Sequence, residues 1–115
     1  MKEQMLSLLR NDKFVISSNI IKVALEKQLS LNEFLVLVYF DNSYDKSFDI
    51  DLVSLAIGLS LEDTMEAFNS LMVKSLVSLE SVKDVENRIN EVVSLEGLYQ
   101  LIIDSSYVTS KKEIK

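Results

Sequence analysis

The feature that most constrains the fold of this chain is a pair of short apolar helices separated by a turn that contains a glycine. Apolar residues recur at helical spacing on both sides of Gly58, which stands where a helix ends in a left-handed residue. Asp49 is placed to cap the first of these helices, and residues 60–63 begin the second. The stretch 52–74 therefore predicts a helix-turn-helix.

Two apolar stretches follow and predict a β-hairpin. Residues 76–82 and 88–93 have the composition of strands, and the polar residues 83–87 separate them. A final helix is expected from Ser94 or Leu95 to Asp104. The predicted fold class is mainly α with a small β-hairpin, the winged helix-turn-helix, with an N-terminal helix-strand extension.

The N-terminal part adds three helices and one strand to this prediction. Residues 1–9 have the apolar spacing of a short amphipathic helix, and residues 13–16 are rich in β-branched and aromatic side chains, which favour a strand. A helix is expected at about 19–28. The capping box Ser30-Leu31-Asn32-Glu33 then opens a strongly apolar helix that runs to about Phe40.

These elements divide the chain into three parts. Residues 1–17 form a predicted helix-strand oligomerisation segment, residues 18–104 the winged-helix domain, and residues 105–115 a linker or disordered tail, because the apolar period is lost after Ser105.

The residue types that are missing exclude several classes of function. The 115 residues include no cysteine and no histidine, so the usual zinc and iron ligands and the commonest general base are lacking. With only Gly58 and Gly97, there is no glycine-rich phosphate loop and no nucleophile elbow. We expect no enzyme activity, no cofactor and no metal. Turn and capping roles explain four aspartates that do not have the spacing of a calcium loop, namely Asp41, Asp45, Asp49 and Asp51.

No apolar run approaches the roughly 20 residues that cross a bilayer. The first residues lack the basic-then-apolar order of a signal peptide. We therefore expect a cytoplasmic protein without a membrane segment.

The net charge of −6 is concentrated in the middle of the chain. Residues 29–80 hold nine acidic and two basic side chains, a sum of −7. The second helix of the helix-turn-helix, which reads DNA in many proteins of this fold, begins with Glu62, Asp63 and Glu66. This pattern favours a solvated acidic face over groove reading. It leaves three candidates for weak nucleic-acid contact, Lys74 on that helix and Lys83 and Arg88 on the hairpin.

The strand at residues 13–16 has no obvious partner. It pairs either with the hairpin of its own chain or with a second copy, and both are open. We expect self-association through the apolar residues of the N-terminal segment: Met5, Leu6, Leu9, Phe14, Val15 and Ile16.

Four stretches together resemble one known family. Residues 16–37, with Leu-Ser-Leu-Asn-Glu opening an apolar helix, are similar to the start of the DnaD N-terminal domain. Residues 48–63, 71–77 and 94–101 resemble its helix-turn-helix, its entry into the wing and its closing helix, although Ser75 stands where the family has glycine.

The resemblance implies an oligomerising, non-catalytic scaffold domain of a bacterial primosome component. Its partners would be replication initiator or helicase-loading proteins, and DNA binding would belong to a separate C-terminal domain. The alternative, from a different class, is a dimeric winged-helix transcription regulator that binds duplex DNA.

Overall fold

The structure is a computed structural model that describes residues 2–11, 13–43 and 46–114, with the backbone alone for 8–11 and 106–114. It is mainly helical with one two-stranded antiparallel hairpin, the winged helix-turn-helix predicted from the sequence. The elements in chain order are α1 (Lys2–Asn11), α2 (Ser18–Glu26), α3 (Leu31–Asn42), α4 (Ile50–Ile57), α5 (Leu61–Val73), β1 (Ser78–Lys83), β2 (Ile89–Ser94) and α6 (Glu96–Ile114).

Short polar side chains set the helix ends, as the sequence predicted. The Ser60 hydroxyl accepts a hydrogen bond from the Asp63 N–H at the start of α5, and the Asp49 carboxylate accepts one from the Leu52 N–H at the start of α4. Gly58 ends α4 with φ +76°. A residue with a Cβ atom is strained in that conformation, so the glycine fixes the turn between the two helices.

The core lies where α3 packs against α4 and α5. Val36, Leu37 and Phe40 of α3 are fully buried, as are Phe68 and Leu71 of α5. The rings of Phe40 and Phe68 meet with centroids 5.5 Å apart. Burial of one such side chain contributes about 2–3 kcal/mol, so this cluster holds α5 in place. The outer face of α5 is left to solvent.

The hairpin pairs in register from Ser78 opposite Ser94 to Lys83 opposite Ile89. The segment before α4 lies along the other edge of β2. There the Val93 N–H donates to the Lys46 carbonyl at 2.7 Å. This short stretch therefore takes the position that a third strand of the wing would occupy.

The prediction of a strand at residues 13–16 is wrong. Residues 13–17 lie between α1 and α2 without joining a strand ladder in the described part of the chain. The Val15 N–H donates to the side-chain oxygen of Asn42 at 2.8 Å, and the Asn42 amide donates back to the Val15 carbonyl at 2.9 Å. A side-chain amide presents the same donor and acceptor as a peptide group, so Asn42 takes the place of a partner strand. The hairpin of the same chain does not pair with this segment.

The last helix, α6, continues to Ile114, past the end predicted at Asp104, while the linker or tail predicted for residues 105–115 stays a prediction. No glycine or proline lies in residues 105–114, so nothing in the backbone ends the helix at Asp104. Near its start, α6 approaches the turn that follows α5 very closely. A Cβ atom added to Gly97 would lie 2.0 Å from the Ser75 carbonyl oxygen, so only glycine allows this approach.

Candidate interaction surfaces

The outer face of α5 is the surface that a helix-turn-helix presents to its target. Glu62, Glu66, Asn69 and Val73 follow one another at intervals of four, three and four residues, which places them on one stripe of the helix. All four side chains are exposed. The stripe is therefore available for contact, and its charge is negative.

Around this stripe the helix-turn-helix combines acidic and apolar side chains. Residues 47–73 contain five acidic residues and no lysine or arginine. Leu55 on α4 is 80% exposed, and Leu61 and Met65 on α5 are also exposed. Exposed apolar side chains on an acidic surface are more typical of a site that binds protein than of one that binds phosphate.

Lys74, at the end of α5, is held by an ion pair inside the fold. Its ammonium group donates to the Glu33 carboxylate at 2.6 Å. The Ser70 hydroxyl donates to the same carboxylate oxygen at 2.9 Å, and the Ser30 N–H donates to the other at 3.0 Å. The predicted role of Lys74 in nucleic-acid contact would require this network to open.

The environment of Glu33 sets its protonation state. Burial acts to raise the pKa of the Glu33 carboxyl, but hydrogen bonds from Lys74, Ser30 and Ser70 outweigh it and lower the pKa from 4.5 to about 2. Glu33 is therefore ionised throughout the physiological range, as its ion pair with Lys74 requires.

The two cations predicted on the wing have different surroundings. Arg88 forms ion pairs with Glu86 and with Asp84, the latter at 3.6 Å. The Asp84 carboxylate also accepts hydrogen bonds from the backbone N–H groups of Arg88 and Glu86, so it organises the tip of the hairpin. Backbone hydrogen bonds, chiefly from Arg88, lower the pKa of Asp84. Lys83 is exposed at the end of β1 and is the wing cation best placed to meet a phosphate.

A second candidate surface lies at the N-terminus. Of the predicted self-association residues, five have described side chains and all five are exposed, whereas the side chain of Leu9 lies outside the described part. The exposed fraction of each of these five side chains lies between 42% and 74%, and the residues are Met5, Leu6, Phe14, Val15 and Ile16. The Phe14 ring also contacts Tyr39 edge-on, with centroids 6.2 Å apart. The structure thus brings the segment 13–17 onto α3 and leaves its apolar side chains facing solvent.

A further group of exposed apolar side chains lies on α2 and at the start of α3. Ile21 and Leu25 of α2 and Leu31 of α3 are exposed, and they line an apolar groove of about 260 Å³ together with Leu29 and Phe34. Exposed apolar area of this kind in a small domain indicates an interface.

Two of the four aspartates considered as a cation site have structural roles. Asp41 accepts a hydrogen bond from the Tyr99 hydroxyl at 2.9 Å, which ties α6 to the end of α3, and Asp49 caps α4. Burial, followed by the hydrogen bond to Asp41, raises the pKa of Tyr99 to about 12. Asp45 lies outside the described residues. No group of three or more acidic side chains in the described part of the chain is arranged to hold a metal ion.

Among the described residues, no helix combines the length and the hydropathy that crossing a membrane requires.

The sequence analysis did not predict the ion pair between Lys74 and Glu33 or the exposed Asn69. It also did not predict the pair of hydrogen bonds between the Asn42 side chain and the Val15 backbone, which we call the Asn42 clamp. Glu33 was identified only through its capping box with Ser30. Its other partner, Lys74, is 41 residues further along the chain, and Asn42 is 27 residues from Val15. Local spacing carries no signal for such pairs. Asn69 was detectable, because it follows Glu62 at a spacing of seven residues on the predicted helix.

Comparison with known proteins assigns no family. No family model matches the chain, and no curated protein matches it. Solved structures similar in fold include the two that follow. A possible transcriptional regulator from Methanosarcina mazei Go1 matches with a TM-score of 0.49 and 16% identity, over 90% of this chain and 96% of the other. A MarR-family transcriptional regulator from Silicibacter pomeroyi matches with a TM-score of 0.48 and 15% identity, over 85% and 66%.

These findings overturn the DnaD-like interpretation. The family is not detected, and the structures similar in fold are described as transcriptional regulators. The replication scaffold, with its initiator and helicase-loading partners, is therefore wrong. The resemblance was carried by helix caps, a glycine turn and apolar spacing, and the winged-helix fold itself requires these features whatever the protein does.

Proposed function

We propose that this chain is a non-catalytic winged-helix regulator that binds duplex DNA as a dimer. The observation that carries the proposal is the exposed outer stripe of α5, together with a hairpin whose tip is largely exposed, since these are the two elements with which winged helices contact DNA. The core behind the stripe is fully buried, so α5 is presented as a rigid element.

Two residues of the stripe have the chemistry to read bases. Asn69 can form two hydrogen bonds with an adenine edge, and Glu66 can accept one from the amino group of cytosine. Both side chains are exposed on α5. The acidic residues of the helix repel phosphates, so base contacts and shape have to supply most of the specificity.

Phosphate contacts are few. Lys74 is paired with Glu33 and Arg88 with acidic neighbours, which leaves Lys83 as the principal wing cation. A dimer doubles that number. Because each phosphate contact contributes about −0.9 to the slope of log affinity against log salt, two such contacts predict a shallow slope of about −2.

Dimerisation is assigned to the exposed N-terminal apolar residues described above. A two-fold axis would bring the same surface of two copies together and cover apolar side chains that are otherwise in water. The Asn42 clamp on Val15 supports side-chain packing over strand pairing, because the backbone groups of Val15 are already bonded.

Duplex titration tests the DNA-binding proposal. A pool of random duplexes is titrated at low and moderate salt, and the bound fraction is sequenced. We expect weak binding, a shallow salt slope and enrichment of sites that contain adenine. Asn69→Ala should relax that preference, whereas Asn19→Ala, exposed on α2, should leave it unchanged. Absence of binding at low salt would refute the proposal.

A further inference from the structure

The acidic helix-turn-helix face has more exposed apolar surface than DNA reading requires. We define this face by its exposed apolar residues and the exposed carboxylates beside them: Leu52, Leu55, Leu61, Met65, Asp51, Glu62 and Glu66. A single exposed leucine needs no explanation, but here each of two successive helices exposes a pair of large apolar side chains on one of its sides, at a spacing of three residues on α4 and four on α5.

We propose that this face docks a basic amphipathic helix of a partner protein, and that the docked helix excludes duplex DNA. The exclusion of duplex DNA rests on the proposed function, whereas the docking of the helix does not.

The charge of the face selects the occupant. Between residues 47 and 73 all five ionisable side chains are carboxylates, and the nearest cation at the end of α5, Lys74, is already neutralised by Glu33. A second copy of the face carries the same charge and is repelled. A helix with an apolar stripe flanked by lysine or arginine matches both the leucines and the carboxylates.

A polar groove beside the face provides a place for a basic side chain. It lies between the start of α3 and α5, has a volume of about 400 Å³ and is lined by Asp63, Glu66 and Asn32 among others. The carboxylates of Asp63 and Glu66 accept no hydrogen bond from another described side chain. They are therefore available to the guanidinium or ammonium group of a partner, unlike Glu33 on the same groove.

Peptide binding to the intact chain tests the docking half. The probe is a fluorescent amphipathic peptide of about 18 residues, with leucine on one helical face and lysine and arginine on the other. Its matched control replaces the basic residues by glutamate. We expect the basic peptide to bind and the acidic one not to bind. Binding of both peptides with similar affinity would overturn the proposal.

Paired variants separate a specific site from general attraction to an acidic protein. Glu62→Lys with Glu66→Lys reverses two charges of the face, and Glu80→Lys with Glu91→Lys reverses two exposed charges of the wing, with the same change in net charge. The first pair should weaken peptide binding at least about tenfold, and the second less than about threefold. Equal weakening by the two pairs would overturn the site.

A matched pair of variants tests the apolar residues of the face. Leu55→Ser and Val85→Ser each alter an exposed side chain, so both variants should keep the melting temperature of the wild type. Only Leu55→Ser should weaken the peptide, by about threefold to tenfold. Unchanged binding by that variant would contradict a role for the apolar residues.

Competition tests the exclusion half. Bound duplex should be released as the basic peptide is added, and the acidic peptide should release none. If the chain binds the peptide but no duplex, the docking site stands and the proposed function fails. If it binds duplex but no peptide, the docking site fails and the proposed function stands. If both bind together, exclusion is overturned.

Discussion

Replacement of Glu33 by glutamine should remove a buried charge whose contribution to stability depends on pH. A glutamine oxygen can still accept the hydrogen bond from the Ser30 N–H, so the helix cap is largely kept. The ion pair with Lys74, at 2.6 Å in the wild type, is lost. Lys74 keeps a side chain that is 31% exposed, so its ammonium group can turn to water. The variant thus isolates the value of the Glu33 charge.

The magnitude follows from the pKa of Glu33. A pKa lowered from 4.5 in the unfolded chain to about 2 in the fold corresponds to about 3 kcal/mol of stability at neutral pH. Because the folded pKa is the lower one, this stability is present above about pH 4.5 and is lost as the pH falls towards 2. Between about pH 7 and pH 3 the loss is about 2 kcal/mol.

Urea unfolding, followed by circular dichroism, provides the measurement for the wild type and Glu33→Gln at both pH values. At pH 7 the variant should be less stable by about 2–3 kcal/mol, and at pH 3 the difference should shrink by about 2 kcal/mol. Glu80→Gln, on the exposed face of β1, is the matched control and should change stability little at either pH. A difference between wild type and Glu33→Gln that is the same at both pH values would refute the reasoning.

Three further outcomes are expected. Gly97→Ala should lower stability by about 1–3 kcal/mol, since its Cβ atom would meet the Ser75 carbonyl at 2.0 Å; a melting temperature equal to that of the wild type would contradict this close approach. Ser75→Gly should raise stability by about 0.5–1 kcal/mol in urea unfolding, because Ser75 has φ +62°, and a loss of stability would show that the serine is not strained. Val15→Asp should lower the sedimentation coefficient if the N-terminal apolar residues join two copies, whereas Val85→Asp at the wing tip should not; an unchanged value for Val15→Asp would count against that interface.

The acidic face and the paired Lys74 show how one tertiary contact alters a functional interpretation. In the sequence, Lys74 is the one cation of the second helix and a natural candidate for a phosphate contact. In the fold, it neutralises Glu33 of another helix. The surface left to a partner is therefore more acidic than the sequence of the helix suggests, which directs attention to basic partners.

The sequence by itself determined the local elements of this protein. Ser30, Asp49 and Ser60 begin their helices and Gly58 ends one, because each of these effects acts between groups three or four residues apart. The same short range accounts for the error over the family, since caps and apolar spacing belong to the fold and not to a function.

Only the tertiary structure decided the contacts between distant parts of the chain. Asn42 binds Val15 across 27 residues, Lys74 binds Glu33 across 41, and Tyr99 binds Asp41 across 58. Such pairs form because the core brings helices together, and many polar side chains of the same types remain in water. No spacing in the sequence indicates which polar side chains meet. The strand predicted at residues 13–16 and the predicted end of α6 were also corrected only by the structure.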